Sequence, residues 1–407
     1  MLDSSRSRSA RSFGLDALRV LAALGVFLKH SSLATGKQLQ SGWAWTNHFE
    51  VGPAIFFALS AYLVYSPFVR AHLDAASTPS RLRFAVHRVV RIVPAYWCAL
   101  AVLIVVDRAS QHGGVGMHFG GPVGIAELLT FTHIYDPRHF FDGIAAAYTL
   151  DVEVSFYVFV LVWVGVIRWI GRRTNPFGAE VAGLCGLAVV NLAWRVLVEF
   201  VARPDAVRCT GSTTHWTCAA VNWLPGFLDY FVLGMACALV VARRKSLGKR
   251  IDIVPRSAAA VAIGAAAAGL VLYSARFGTV GLDTLVSPRA LFAAHELRFA
   301  IVALLLVPAV FALHAAQDPP AGRARRVVRR VVPWFAMVSY GFYLWHQACI
   351  DLAIRATGGR SFHARFSNVA PLALVGAIGI AAVSWYLLEA PLQRRRDRFV
   401  PEAVRSL

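Results

Sequence analysis

Charge is what this chain has least of. Only 15% of its 407 residues are Asp, Glu, Lys or Arg, against about a quarter in a soluble domain. With 57% hydrophobic residues and a mean hydropathy of +0.57, the composition excludes a water-soluble globule. Acidic residues are scarcer than basic ones, 22 against 41. The basic residues fall in short clusters between apolar stretches and not along one continuous face, so nucleic acid is not an expected partner. Six cysteines are scattered without zinc-ligand spacing, and no metal is expected. No A-x-A cleavage site follows the first apolar segment, residues 14 to 34, which reads as a retained helix and not a signal peptide. Polar interruptions are short throughout, so one membrane domain is expected over 13–392, flanked by tails at 1–12 and 393–407.

What the chain does have is long apolar runs. Stretches of about 20 residues, enough to cross about 30 Å of hydrocarbon, fall near 13–34, 51–70, 88–107, 148–170, 179–201, 223–242, 257–275, 291–314, 331–353 and 369–389. The expected fold is therefore an all-α membrane bundle of about ten transmembrane helices. Residues 121 to 133 form a shorter, less apolar piece, expected to be interfacial or re-entrant. Lys and Arg number 26 in the N-terminus, alternate loops and C-terminal tail, against 10 in the opposite loops. By the positive-inside rule both termini are cytoplasmic. Cys209 and Cys218 then share an outer loop, where they either pair or stay as thiols.

Five basic residues, Arg19, Lys29, Arg91, Arg195 and Arg298, fall within the spans. A charge near the bilayer centre costs at least about 2.5 to 3.5 kcal/mol, so each is a functional candidate, with snorkelling as the alternative. Arg19 and His30 stand eleven residues apart in RVLAALGVFLKH, about three turns, and share a face about 16 Å apart. The span at 148 opens with YTLDVEVSFY, which puts Glu153 about 7 Å below the outer interface with Tyr157 at i+4 on its face. His346 lies about 22 Å along the span that enters from the cytoplasm at 331. His30, Glu153 and His346 thus reach similar depth on three helices, as a histidine base and a tuning carboxylate require. Each alone also serves as an ordinary helix-to-helix hydrogen bonder. At the inner side, Arg88 and Arg91 in HRVVRIVPAYW share a face at i+3 and, with Arg19, suit phosphates such as those of coenzyme A.

Together these segments resemble acyltransferase family 3, the bacterial integral-membrane O-acyltransferases of surface glycans, glycolipids and secondary metabolites. The resemblance covers about 13 to 396 and rests on GLDALRVLAALGVFLKH with its basic-x10-His pattern, FFALSAYLV, RVVRIVPAYW, YTLDVEVSFY, NWLPGFLDYFVLGM, SYGFYLWHQ and YLLEAPLQRR. The chain departs from the family pattern at Ser60-Ala61, Tyr148-Thr149-Leu150, Val154 and Ala390. The resemblance implies a multi-pass protein of the bacterial plasma membrane that moves an acyl group, expected to be acetyl, from cytoplasmic acyl-CoA. The implied acceptor is an extracytoplasmic hydroxyl of a glycolipid such as a trehalose mycolate, a glycan or a metabolite. His30 would be the base, Glu153 would orient the imidazole or the acceptor, and His346 or Tyr157 would stabilise the oxyanion. Arg19, Arg88 and Arg91 would hold the CoA phosphates. Membrane lipids are further expected partners. A lipid or glycan transporter or flippase would share the helices and the charge bias, but no convincing internal repeat is legible.

Overall fold

The computed structural model describes residues 12–40, 42–109, 119–140, 142–202, 216–277, 288–312 and 322–400, and these are helical with no strand among them. The predicted Cys209–Cys218 pair falls outside the described side chains. The helices are α1 (Phe13–Ala34), α2 (Val51–Leu73), α3 (Arg81–Ala109), α4 (Gly121–Thr130), α5 (Tyr148–Arg173), α6 (Pro176–Val196), α7 (Trp216–Ala220), α8 (Leu224–Ser246), α9 (Arg256–Phe277), α10 (Pro288–Phe311), α11 (Arg323–Ala356), α12 (Phe366–Ser384) and α13 (Ala390–Arg395). Helices dominate because a chain in hydrocarbon must satisfy its backbone polar groups internally.

Nine helices among the described residues are long and apolar enough to cross a membrane. The tenth predicted span, 331–353, lies within α11, which falls short of the same apolarity because Tyr340, Tyr343, His346 and Gln347 interrupt it. At 34 residues α11 is nonetheless about 51 Å long, ample for a crossing. The predicted short piece at 121–133 is α4 followed by a 3-10 turn at His133–Tyr135.

Local signals set the helix ends. The Asn175 side chain accepts from the backbone N–H groups of Phe177 and Gly178 at 3.0 and 3.2 Å, with Pro176 opening α6. α5 begins with Asp151 in its first turn and ends on Arg172 and Arg173, each sign at the favoured pole of the helix dipole. A π-helical turn, Trp385–Glu389, follows α12 and leaves Glu389 buried, accepting from the Ser384 hydroxyl at 2.9 Å.

α2 is the most buried apolar span and sits at the centre, touching α1, α5, α6, α8 and α10. Its closest neighbour is α8, where a Cβ on Gly234 would lie 2.1 Å from the Ala58 carbonyl oxygen. Lipid tails are as apolar as leucine, so helices associate through such small-residue contacts and not through water exclusion. α11 packs between α1 and α12, and this brings residues more than 300 positions apart in sequence into one site.

Candidate active site

Five helices converge on a cavity of about 800 Å³, open mouth included. Arg19 comes from α1, Ser60 from α2, Arg88 and Arg91 from α3, Glu153 and Tyr157 from α5, and Tyr340 and Tyr343 from α11. Three guanidiniums face one carboxylate in this lining, so the cavity is poised for an anion. The Arg88 guanidinium rests 5.4 Å from the Phe84 ring and 5.3 Å from the Tyr157 ring, and these aromatic faces hold its plane. Glu153 is bound within the cavity wall. It accepts from the Ser60 hydroxyl at 2.6 Å and from the Tyr157 phenol, and those two oxygens stand 3.1 Å apart.

Beside this cavity lie the two histidines. His30 Nδ1 is 2.7 Å from His346 Nε2, with ring centroids 5.0 Å apart and planes inclined by 8°. His346 Nδ1 donates to the Tyr343 carbonyl at 2.7 Å. Since Tyr343 also lines the cavity, the histidine pair sits one helical turn from its wall, about 4.5 Å along α11. Tyr343 locks α11 to the start of α5. Its phenol donates to the Ala146 carbonyl at 2.8 Å and meets the Thr149 hydroxyl at 2.7 Å, while the Gln347 side chain accepts from the Ala146 N–H at 3.1 Å.

The decisive comparison is with known families, where a model described as an acyltransferase domain matches residues 12–389. The chain belongs to acyltransferase family 3. It is also 26% identical over 415 residues to Nodulation protein 10 of Rhizobium leguminosarum bv. viciae, an alignment that covers 98% of this chain and 97% of the relative. No solved structure matches it. The protein is therefore a multi-pass membrane acyltransferase.

The acyltransferase gathers Arg19, Arg88, Arg91, Glu153 and Tyr157 around one cavity and joins His30 to His346 directly. Glu153 was expected to orient the imidazole or the acceptor; one of its oxygens accepts from both Ser60 and Tyr157, while the ring nitrogen of His30 meets a second imidazole, that of His346. Ser60, at one of the departures from the family pattern, thus carries a polar role in the cavity wall. Tyr343 and Thr149 were not legible as site residues, although Tyr340, Tyr343 and His346 recur at i+3 and so mark one face of α11.

The five basic residues within the spans separate into two groups. Lys29 is ion-paired with Glu50, Arg298 lies 3.6 Å from the other oxygen of Glu50, and Arg195 binds Glu199 at 3.2 Å and Glu296 at 2.6 Å. Arg19 and Arg91 line the cavity. Beyond the spans, ligand atoms of Glu127, Asp136 and His139 come within 4.8 Å of one another. Arg138, however, clasps the Asp136 carboxylate at 2.5 Å and pulls its pKa down to about 2. His139 Nδ1 lies 2.7 Å from Glu127, so this cluster already satisfies much of its own charge.

Proposed function

We propose that this acyltransferase moves an acyl group, acetyl in the simplest case, from cytoplasmic acyl-CoA to a hydroxyl presented at the opposite face of a bacterial plasma membrane. The observation that carries the reading is the convergence of Arg19, Arg88 and Arg91 on one cavity lined also by Tyr343, whose carbonyl accepts from His346 of the His30–His346 pair. A coenzyme A donor is long and polyanionic at one end only. Guanidiniums bind its phosphates while the pantetheine arm extends along the bundle toward the imidazoles.

In this reading His30 takes the proton of the acceptor hydroxyl as its oxygen attacks the thioester carbonyl. The C–S bond then breaks, and the thiolate leaves with the proton that His30 carried. Holding both substrates in register lowers the barrier further by making the encounter effectively unimolecular. Glu153, fixed by Ser60 and Tyr157, positions the substrate at the cavity wall and does not orient the imidazole. The acceptor belongs to the extracytoplasmic hydroxyls of glycolipids, glycans or metabolites, and a trehalose mycolate is one such candidate.

Transfer from labelled acetyl-CoA by purified variants tests the reading. His30→Ala is expected to lower kcat by at least about 10²-fold, and Arg19→Ala or Arg88→Ala to raise the KM for the donor while leaving the acceptor KM near its wild-type value. Folded His30→Ala protein that transfers acetyl at the wild-type rate overturns the assignment. Envelope lipids and glycans from cells with and without the gene, compared for a mass difference of one acetyl group, identify the acceptor.

A further inference from the structure

The Tyr343 carbonyl determines where the protons of both imidazoles lie. A carbonyl oxygen only accepts, so His346 Nδ1, 2.7 Å away, must carry a hydrogen. A neutral imidazole has a single N–H, which leaves His346 Nε2 as an acceptor. A charge on His346, which is only 1% exposed, would rest on the backbone of Tyr343 and Phe342 with no carboxylate beside it, an arrangement a low-dielectric interior disfavours. His30 Nδ1 stands 2.7 Å from the accepting nitrogen and so donates to it. The lone pair of His30 is therefore on Nε2.

We propose that His346 is the positioning residue that holds His30 in its Nδ1–H tautomer, with the Nε2 lone pair available to the acceptor hydroxyl. The inference rests on the reading of His30 as the base and adds what sets that base. Burial separates the two roles, because His346 is enclosed whereas His30 is only half-buried. Packing holds the geometry: the Phe342 ring stacks on His346 at 6.2 Å, and Phe27 and Phe335 pack on Phe342 at 5.8 and 5.1 Å. Both nitrogens of His346 are committed, so it has no N–H to offer an oxyanion. When His30 takes the acceptor proton on Nε2, its Nδ1–H bond to His346 becomes charge-assisted and strengthens. A neutral ring thus does what a carboxylate does in other histidine bases, without placing a second negative charge beside the thioester. The proton then passes from His30 Nε2 to the departing thiolate, leaving both imidazoles as they began.

The tautomer is directly readable. Nitrogen-15 spectra of histidine-labelled wild-type protein in lipid nanodiscs, assigned with His30→Gln and His346→Gln, are expected to show His30 protonated at Nδ1 and bare at Nε2. Protonated Nε2 on His30 overturns the proposal. Among variants, His346→Gln keeps an acceptor oxygen near the position of Nε2 and is expected to stay within about tenfold of wild-type kcat. His346→Leu removes that acceptor and is expected to lose about 10²-fold or more, with the KM for acyl-CoA unchanged. Equal losses in the two variants, tracking their thermal stability, reduce His346 to a packing residue and overturn the proposal. The spectra need no turnover, so their outcome stands apart from the His30→Ala assay that tests the base itself.

Discussion

Two carboxylates of this protein are tied to their neighbours in different ways. Glu153 accepts from two hydroxyls within the arginine-lined cavity, whereas Glu180 accepts from the Tyr65 phenol at 2.6 Å and lies 2.6 Å from His72 Nδ1, far from any site residue in sequence. Glu180 and His72 are 1% and 6% exposed, and the Trp163 indole donates to Tyr65 at 3.3 Å, so removing the carboxylate strands several polar groups at once. Glu180→Ala is expected to cost about 3 to 5 kcal/mol of stability while leaving the KM values of the folded fraction near wild type. Thermal unfolding in detergent alongside the transfer assay separates the two effects. Sequence placed Tyr157 correctly on the face of Glu153 because i+4 is a property of one helix. Sequence also brought His30 and His346 to a similar depth, but their direct contact, across 316 positions, is visible only in the fold.

Between elements, contact distance is set by residues that lack bulk. At Gly234 a methyl group would overlap the Ala58 carbonyl oxygen at 2.1 Å, and at Gly52 it would meet Val26 Cγ2 at 2.5 Å, so α8 and α1 approach α2 more closely than side chains would permit. α2 carries Ser60 to the cavity, and any displacement of α2 changes the seat of Glu153. Gly234→Ala is accordingly expected to destabilise by about 1 to 3 kcal/mol and to lower transfer. Gly264→Ala, on the open face of α9 with nothing within 4 Å of the added methyl, is expected to be neutral or slightly stabilising. Melting temperatures of the two variants check the contrast. The boundaries of α1, 13 to 34, agree with the apolar run because hydrocarbon thickness sets helix length. The polar face of α11 lowers its apolarity for the reason that makes it useful, since it delivers Tyr340, Tyr343 and His346 to the interior.

For the whole molecule, the bias of positive charge predicts orientation. Arg243, Arg244 and Lys245 end α8, Arg172 and Arg173 end α5, and five arginines open α11 between 323 and 330. The segment after α13 folds onto α3, where Asp397 accepts from Arg83 at 2.9 Å and lies 2.9 Å from His87 Nε2, so the basic C-terminal end and the start of α3 share one side of the bundle. Cysteines introduced as Ser7→Cys and Ser406→Cys in a cysteine-free background are expected to react only with reagents that reach the cytoplasm, and Ser212→Cys only with impermeant reagents outside. Labelling of the two termini from opposite faces would overturn the even span count and the inward delivery of the donor.

The amino-acid sequence by itself determined the all-α membrane class, the approximate number of spans and the bias of positive charge, because these are one-dimensional quantities written along the chain. It also supplied the family, through motifs whose order extends over nearly the whole chain. Only the tertiary structure decided which in-membrane cations were already neutralised, which two lined a cavity, and which nitrogen of His30 was left bare. Those are lateral facts: position along the chain says how far along a helix a residue lies, whereas its neighbour depends on how the other helices pack around α2.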